Sequence, residues 1–346
     1  MKFKKIFKSY TFNISLIIIL TGFVLWLILK DNYDNIMQLM SKVDYSLLLL
    51  TLFMIFCAQI LSGYSLACFA KLSNTKYNII NGTANTLVAN FVSGITPSST
   101  GGQIAQIYAF RKQNIRMSDS ISILWMDFII GQTMICLVGS IIMIFKFIYF
   151  YNTHSKLFII SMIGLILNII MIFGLYLVTK YDKCYKFLTH TIFNIGCKFK
   201  MIKDKDSAKD RLDQSLVRFE NEIIKLKSHK FLIFKCSIIH LIRLLIQYSI
   251  PFMCFLTLGY QMNLDLFINC FTLTVFVTLL NTFFPMPGAT GGTEITFMLM
   301  FQTFFDLVGV QAGVLLWRFS TYYLLLIIGL IAFTYFKFKR DIREEV

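Results

Sequence analysis

Five ionisable residues, Asp127, His240, Arg243, Glu294 and Arg318, stand inside runs of apolar residues. A charge in such a segment is expensive, so each marks a candidate site by default. His240, Arg243 and Gln247 follow the spacing i, i+3, i+7 and therefore share one helical face. The chemistry open to these residue types is recognition rather than bond making. Arg243 and Arg318 suit the oxygens of an anionic head group, while Asp127 and Glu294 suit counter-charges or a cationic moiety. A structural ion-pair network uses the same residue types, and a hydrogen-bonded core role is the plainer reading of His240. Eight scattered cysteines form no Cys-x-x-Cys pair and have no His cluster beside them. No metal, cofactor or catalytic residue is therefore expected.

Two breaks interrupt the apolar segments near these charges. The first reads Thr96-Pro97-Ser98-Ser99-Thr100-Gly101-Gly102-Gln103, the second Pro285-Met286-Pro287-Gly288-Ala289-Thr290-Gly291-Gly292-Thr293-Glu294. Aligning Pro97 with Pro287 superimposes Pro, Thr, Gly and Gly, and the chain has only four prolines, so the breaks read as an internal repeat. Pro97, Pro285 and Pro287 would end half-helices, because proline lacks the backbone donor and resists helix interiors. The paired glycines allow a tight turn and close backbone approach. Non-helical backbone at membrane depth is tolerated only inside protein or facing a wet cavity, so the breaks predict a cavity. Half-helices starting near Thr100, Gly101 and Gly102 and near Thr290, Gly291 and Gly292 would aim free N–H groups at it, which suits phosphate or carboxylate.

The elements that must position these residues are membrane helices. The chain is 57% hydrophobic and 15% charged, with a mean hydropathy of +0.69, so an all-α polytopic membrane protein is expected. One membrane domain covers 1–346. Its first half, 10–179, holds a hairpin at 79–110, a cytoplasmic linker runs over 180–230, and the second half, 231–336, holds a hairpin at 266–306. Six full spans are expected at 12–29, 46–70, 118–147, 157–179, 231–258 and 309–336. The first is too long for a signal sequence and has no small-residue cleavage site, so it reads as uncleaved. If the two hairpins re-enter from opposite faces, 26 of the 33 Lys and Arg residues fall on one face and four on the other. Even without the 13 in the linker the bias persists, which puts both termini in the cytoplasm. The net charge of +15 is thus a topology signal rather than one for nucleic acid. In the linker, Leu212, Leu216, Phe219, Ile223 and Leu226 make one apolar stripe, read as a helix packing on the membrane domain.

The second break, Pro285-x-Pro287-Gly288-x-x-Gly291-x-x-Glu294, and Arg318 in the last span resemble the flippase-like transmembrane domain of the lysylphosphatidylglycerol synthase family, the multiple peptide resistance factor group. The first break is similar to that family's Thr-Pro-x-x-x-Gly-Gly-Glu pattern, with Gln103 at the acidic position and Gln106 where an arginine is usual. The resemblance spans about residues 10–336. It implies a plasma-membrane protein that moves a phospholipid, such as lysylphosphatidylglycerol, between leaflets, and a connection with antibiotic resistance. Bifunctional members continue into a soluble aminoacyltransferase domain, whereas this sequence stops at Val346. A stand-alone form is therefore expected, with a separate aminoacyltransferase as a partner and a homo-oligomer left open. The alternatives are a phosphatidylglycerol lysyltransferase, as the family name suggests, and an ion-coupled transporter of a small anion.

Overall fold

The computed structural model describes residues 22, 26, 29–96, 100–180, 224, 228–261, 263–281 and 287–338. Most of the expected span 12–29, the linker stripe from Leu212 to Leu226, and Pro97 and Pro285 lie outside these residues. No strand occurs among the described residues. The helices are α1 (Tyr33–Met40), α2 (Tyr45–Ala70), α3 (Ile79–Gly94), α4 (Gly101–Lys112), α5 (Met117–Phe145) and α6 (Phe147–Lys180) in the first half. The second half has α7 (Lys230–Thr257), α8 (Leu264–Asn281), α9 (Gly292–Phe301), α10 (Leu307–Arg318) and α11 (Leu324–Phe338). A π-helical turn, Phe319–Tyr323, joins α10 to α11 into one span.

The long helices are apolar nearly all round, and the sorting of their faces shows which solvent they meet. In α2, Leu49, Phe53 and Ile60 are exposed while Thr51, Ser65 and Ala58 are buried. Large apolar groups on the outside and small or polar groups within is the pattern of helices packed in lipid, where close approach replaces hydrophobic drive. Gly63 of α2 and Gly82 of α3 illustrate it: a Cβ on Gly82 would collide with the Gly63 carbonyl. Asp44 caps α2, its carboxylate accepting from the N–H groups of Ser46 and Leu47 at 2.8 and 3.2 Å.

Six helices are long and apolar enough to cross a membrane: Tyr45–Ala70, Met117–Phe145, Phe158–Leu177, Lys230–Thr257, Leu264–Asn281 and Leu307–Phe338. Length alone therefore makes α8 a span, but its contacts make it the first arm of a hairpin. The Tyr260 hydroxyl, just before α8, donates to Asp306 just after α9 at 2.5 Å. Phe255 stacks on Phe305 with ring centroids 3.7 Å apart. The chain thus leaves the bundle beside where it entered. The Asp306 carboxyl feels burial, which would raise its pKa, yet the bonds it accepts from Tyr260 and the Gly309 N–H hold it below the usual carboxylate range.

The first hairpin closes the same way. Tyr77, before α3, donates to the Gln113 side chain after α4 at 2.8 Å, and Gln113 donates back to the Asn81 carbonyl at 2.9 Å. Deeper in, Asn85 donates to the Gln106 carbonyl at 3.2 Å. Deeper still, Gly102 packs on Ser93 so closely that a Cβ would collide with its Oγ. The pairs converge as an antiparallel hairpin should. At about 1.5 Å per residue, α3 and α4 are each too short to span a core of about 30 Å.

Between the hairpins α2 and α7 run antiparallel. The Asp44 N–H donates to the Thr257 carbonyl at 3.0 Å at one end, and Cys236 Sγ lies 4.0 Å from the Ser65 carbonyl oxygen towards the other. Each of these two helices leads into a hairpin, so the hairpins enter from opposite faces and the halves form an inverted repeat. Lys71, Lys76, Arg111, Lys112, Arg116, Lys230 and Lys337 collect at one face, and Lys42, Lys146 and Lys156 at the other.

Candidate functional site

The two breaks meet at one side chain. Tyr322, in the π-helical turn, donates its hydroxyl to the carbonyl of Gly94, the last residue of α3, at 3.0 Å. The same ring packs against Gly288 in the second break. A π turn inserts one extra residue into a helix and commonly marks a functional position. Nothing in the sequence singled out Tyr322; its only signal was lying one turn after Arg318.

Around Tyr322 lies a cavity of about 480 Å³, lined by Ser93 and Gly94 at the end of α3, just ahead of the first break, and by Gly288 and Ala289 of the second. Its volume falls within the range of small-molecule sites, about 300–1,000 Å³. The remaining wall mixes apolar Ile55, Ala58, Ile135, Ile250 and Leu325 with polar side chains: Gln59, Ser62, Thr86 and Asn90 from α2 and α3, Gln132 from α5, Arg243 and Gln247 from α7, and Thr278 and Asn281 from α8. A side chamber of about 170 Å³ shares Gln247, Thr278, Asn281, Thr321 and Tyr322, and reaches Tyr248 and Arg318. Pro251 stands inside α7. It has no N–H to offer the Gln247 carbonyl four residues earlier, so that turn of α7 lacks one helical hydrogen bond.

Arg243 is the charge in this cavity. Its NH1 donates to Gln247 Oε1 at 3.2 Å, while its buried Nε has no hydrogen-bond partner. No salt bridge joins it to a carboxylate among the described residues. The buried Oγ1 of Thr86, another lining residue, is likewise without a partner. Groups left in this condition each cost about 1–3 kcal/mol.

Arg318 is in a different state. Its Nε sits 2.8 Å from Glu294 Oε1, an ion-pair contact too bent to count as a hydrogen bond, and its NH2 donates to Glu294 Oε2 at 3.0 Å. The guanidinium also reaches the Gly288 carbonyl at 3.4 Å and lies 5.1 Å from the centre of the Tyr322 ring. Arg318 is 7% exposed and Glu294 3%. Glu294 further accepts the Gly291 N–H at 2.7 Å. The first turn of α9 thus already holds an anion, the carboxylate of Glu294, which lines neither cavity.

Asp127 is drawn into a third arrangement. Its Oδ1 lies 3.0 Å from His240 Nε2 and accepts the Ser65 hydroxyl, and Ser65 Oγ is itself 3.1 Å from the same Nε2. Serine, histidine and aspartate are the parts of a nucleophilic relay, but a relay puts serine and carboxylate on opposite ring nitrogens. Here both use Nε2, and the buried Nδ1 has no partner. The cluster ties α2, α5 and α7 together beside the cavity without lining it.

The remaining candidates sit at the breaks themselves. Gly101 starts α4 with its N–H donated to Thr96 Oγ1 at 3.0 Å, Gly102 packs on Ser93, and Thr100 is exposed. Gln103 is exposed too. In the second break Pro287, Gly288 and Ala289 form a short 3₁₀ turn, and Gly288, Ala289 and Gly291 have φ of 58°, 51° and 89°. Thr290 is buried and bonds the Tyr322 hydroxyl, and Gly292 begins α9. Replacing Gly288 by alanine combines a left-handed backbone with a collision against the Tyr322 ring. Gly288→Ala is therefore expected to lower the unfolding free energy by about 2 kcal/mol or more, read by thermal unfolding in detergent. Gly259→Ala, also at positive φ but with open space around it, should cost about half as much.

Fold and site together define a polytopic, all-helical membrane protein with two oppositely inserted hairpins beside a part-polar cavity that holds one cation, Arg243. The family model described as the lysylphosphatidylglycerol synthase TM region matches residues 13–329, and the chain belongs to that family. The match takes in both breaks, Arg243 and Arg318. A comparison with curated proteins found no match.

Proposed function

We propose that the protein moves an anionic phospholipid between leaflets, with the head group passing through the cavity while the acyl chains stay in lipid. The observation that carries this reading is Arg243, a cation between the two breaks with no carboxylate partner among the described residues. A phosphodiester supplies the missing charge and accepts from the free guanidinium N–H groups. Arg318, already neutralised by Glu294, shapes the second break, and Tyr322 closes the contact between the halves. Two hairpins entering from opposite faces also give each leaflet its own half of the site, which is the symmetry alternating access requires. Under the positive-inside rule the face carrying Lys71, Arg111 and Lys230 is cytoplasmic, and the plasma membrane is the location. The family's name points to lysylphosphatidylglycerol as one cargo, with a separate aminoacyltransferase as its source.

The test is reconstitution into vesicles containing acyl-labelled phosphatidylglycerol, followed by chemical quenching of the outer leaflet. Vesicles with protein are expected to lose label beyond the outer-leaflet fraction, while protein-free vesicles stop there. If labelled lipid stays put and the same vesicles take up inorganic phosphate, the protein is a solute transporter and the lipid reading is wrong.

A further inference from the structure

The cavity wall says more about the head group than that it is anionic. Among the described residues that line it, Arg243 is the one charged side chain, and no lining residue is a carboxylate. The two carboxylates nearest in sequence pattern to a site are both committed elsewhere. Glu294 is held by Arg318 and the Gly291 N–H, and Asp127 by His240 and Ser65. A cationic group entering this space would meet the Arg243 guanidinium first, while the nearby Asp127 carboxylate stands outside the wall and is shared by His240 and Ser65.

What the wall does offer, beside its apolar residues, is neutral hydrogen-bonding capacity. Five side-chain amides line it: Gln59, Asn90, Gln132, Gln247 and Asn281. Asn90 donates to Gln59 at 2.6 Å, and Asn281 accepts from Thr293 at 2.9 Å, which leaves each amide both fixed and with donors or acceptors to spare. The Thr278 and Thr321 hydroxyls donate to backbone carbonyls at 2.9 and 2.7 Å, so their oxygens remain as acceptors. Paired donors and acceptors of this kind match hydroxyl groups, each of which both gives and receives a hydrogen bond.

We infer that the cavity selects a phosphodiester whose head group is uncharged and rich in hydroxyls, such as unmodified glycerol or a sugar, over one bearing a free amine. This rests on the phospholipid reading above and sets its cargo against the aminoacylated lipid to which the family's name points. Phosphatidylglycerol brings one negative charge to Arg243 and two hydroxyls to the amides. Its lysyl ester brings two ammonium groups into the same chamber, where the like charge of Arg243 opposes them.

The experiment compares acyl-labelled phosphatidylglycerol with acyl-labelled lysylphosphatidylglycerol in the reconstituted vesicles, and short-chain forms of both in binding to the detergent-solubilised protein. Phosphatidylglycerol is expected to be bound and moved better by about tenfold or more, the scale of one unscreened like-charge contact in a partly wet site. Gln132→Glu, which places a carboxylate in the wall at nearly constant shape, should erase or reverse that preference. Equal or better handling of the lysyl lipid by the unaltered protein overturns the inference, as does failure of both short-chain lipids to bind. If neither lipid crosses but short-chain phosphatidylglycerol still binds in preference, and Arg243→Gln abolishes that binding, the head-group inference stands and the transport reading falls.

Discussion

Arg243→Gln is expected to slow phosphatidylglycerol movement by between about tenfold and a hundredfold, the value of one charge-assisted contact to a phosphate. The protein should remain folded, because Arg243 has no salt bridge to break among the described residues and its one hydrogen-bond partner, Gln247, belongs to the same helix. Gel filtration and thermal unfolding should match those of the unaltered chain. Arg243→Lys should recover only part of the rate, since an ammonium keeps the charge but not the planar pair of donors. Full activity in Arg243→Gln, at unchanged yield and melting behaviour, would remove the central support for the proposed function.

Glu294→Ala is expected to act through stability instead. It strands the Arg318 guanidinium in a buried position and removes the acceptor of the Gly291 N–H. Losing one partner of a buried pair costs about 3–5 kcal/mol, because the remaining ion is left uncompensated. Arg318→Met alone should cost a similar amount by leaving Glu294 charged and buried. The double variant Glu294→Gln/Arg318→Met removes both charges and keeps an acceptor for Gly291, so it should recover most of the loss. The coupling is measured by a double-mutant cycle of Glu294→Gln, Arg318→Met and the double variant on unfolding in detergent. A cycle giving no coupling, with Glu294→Ala close to neutral, would mean that the pair does not hold the second break.

Much of the architecture was legible in the sequence because lipid leaves few choices. The apolar runs had to be helices, since backbone groups in hydrocarbon must be bonded within their own segment. The expected spans at 46–70, 118–147, 157–179, 231–258 and 309–336 correspond to α2, α5, α6, α7 and the joined α10 and α11. The matching Pro, Thr and two Gly residues marked both breaks, and each break is where a short helix ends and another begins. Hydropathy could not separate α8 from a full span, because its 18 residues meet the length requirement. Only the closure of Tyr260 on Asp306 shows that the chain turns back.

The site was legible in kind but not in role. Its ionisable residues were found because charge in an apolar run is conspicuous, whereas Tyr322 and the neutral amides of the wall resemble ordinary packing residues in a membrane helix. Pro251 was visible, but no local pattern encodes that its turn of α7 carries the cavity-lining Gln247 and Ile250. By itself the sequence determined the solvent, the helices, the two breaks and the list of buried charges, all of which follow from short-range rules of length, composition and backbone chemistry. The tertiary structure decided which charges cancel. Arg243 and Arg318 are equivalent as residues in apolar spans, yet Arg318 lies against Glu294 and Arg243 against a cavity. Pairing is a matter of a few ångströms between helices distant in sequence, and a one-dimensional pattern does not carry that distance.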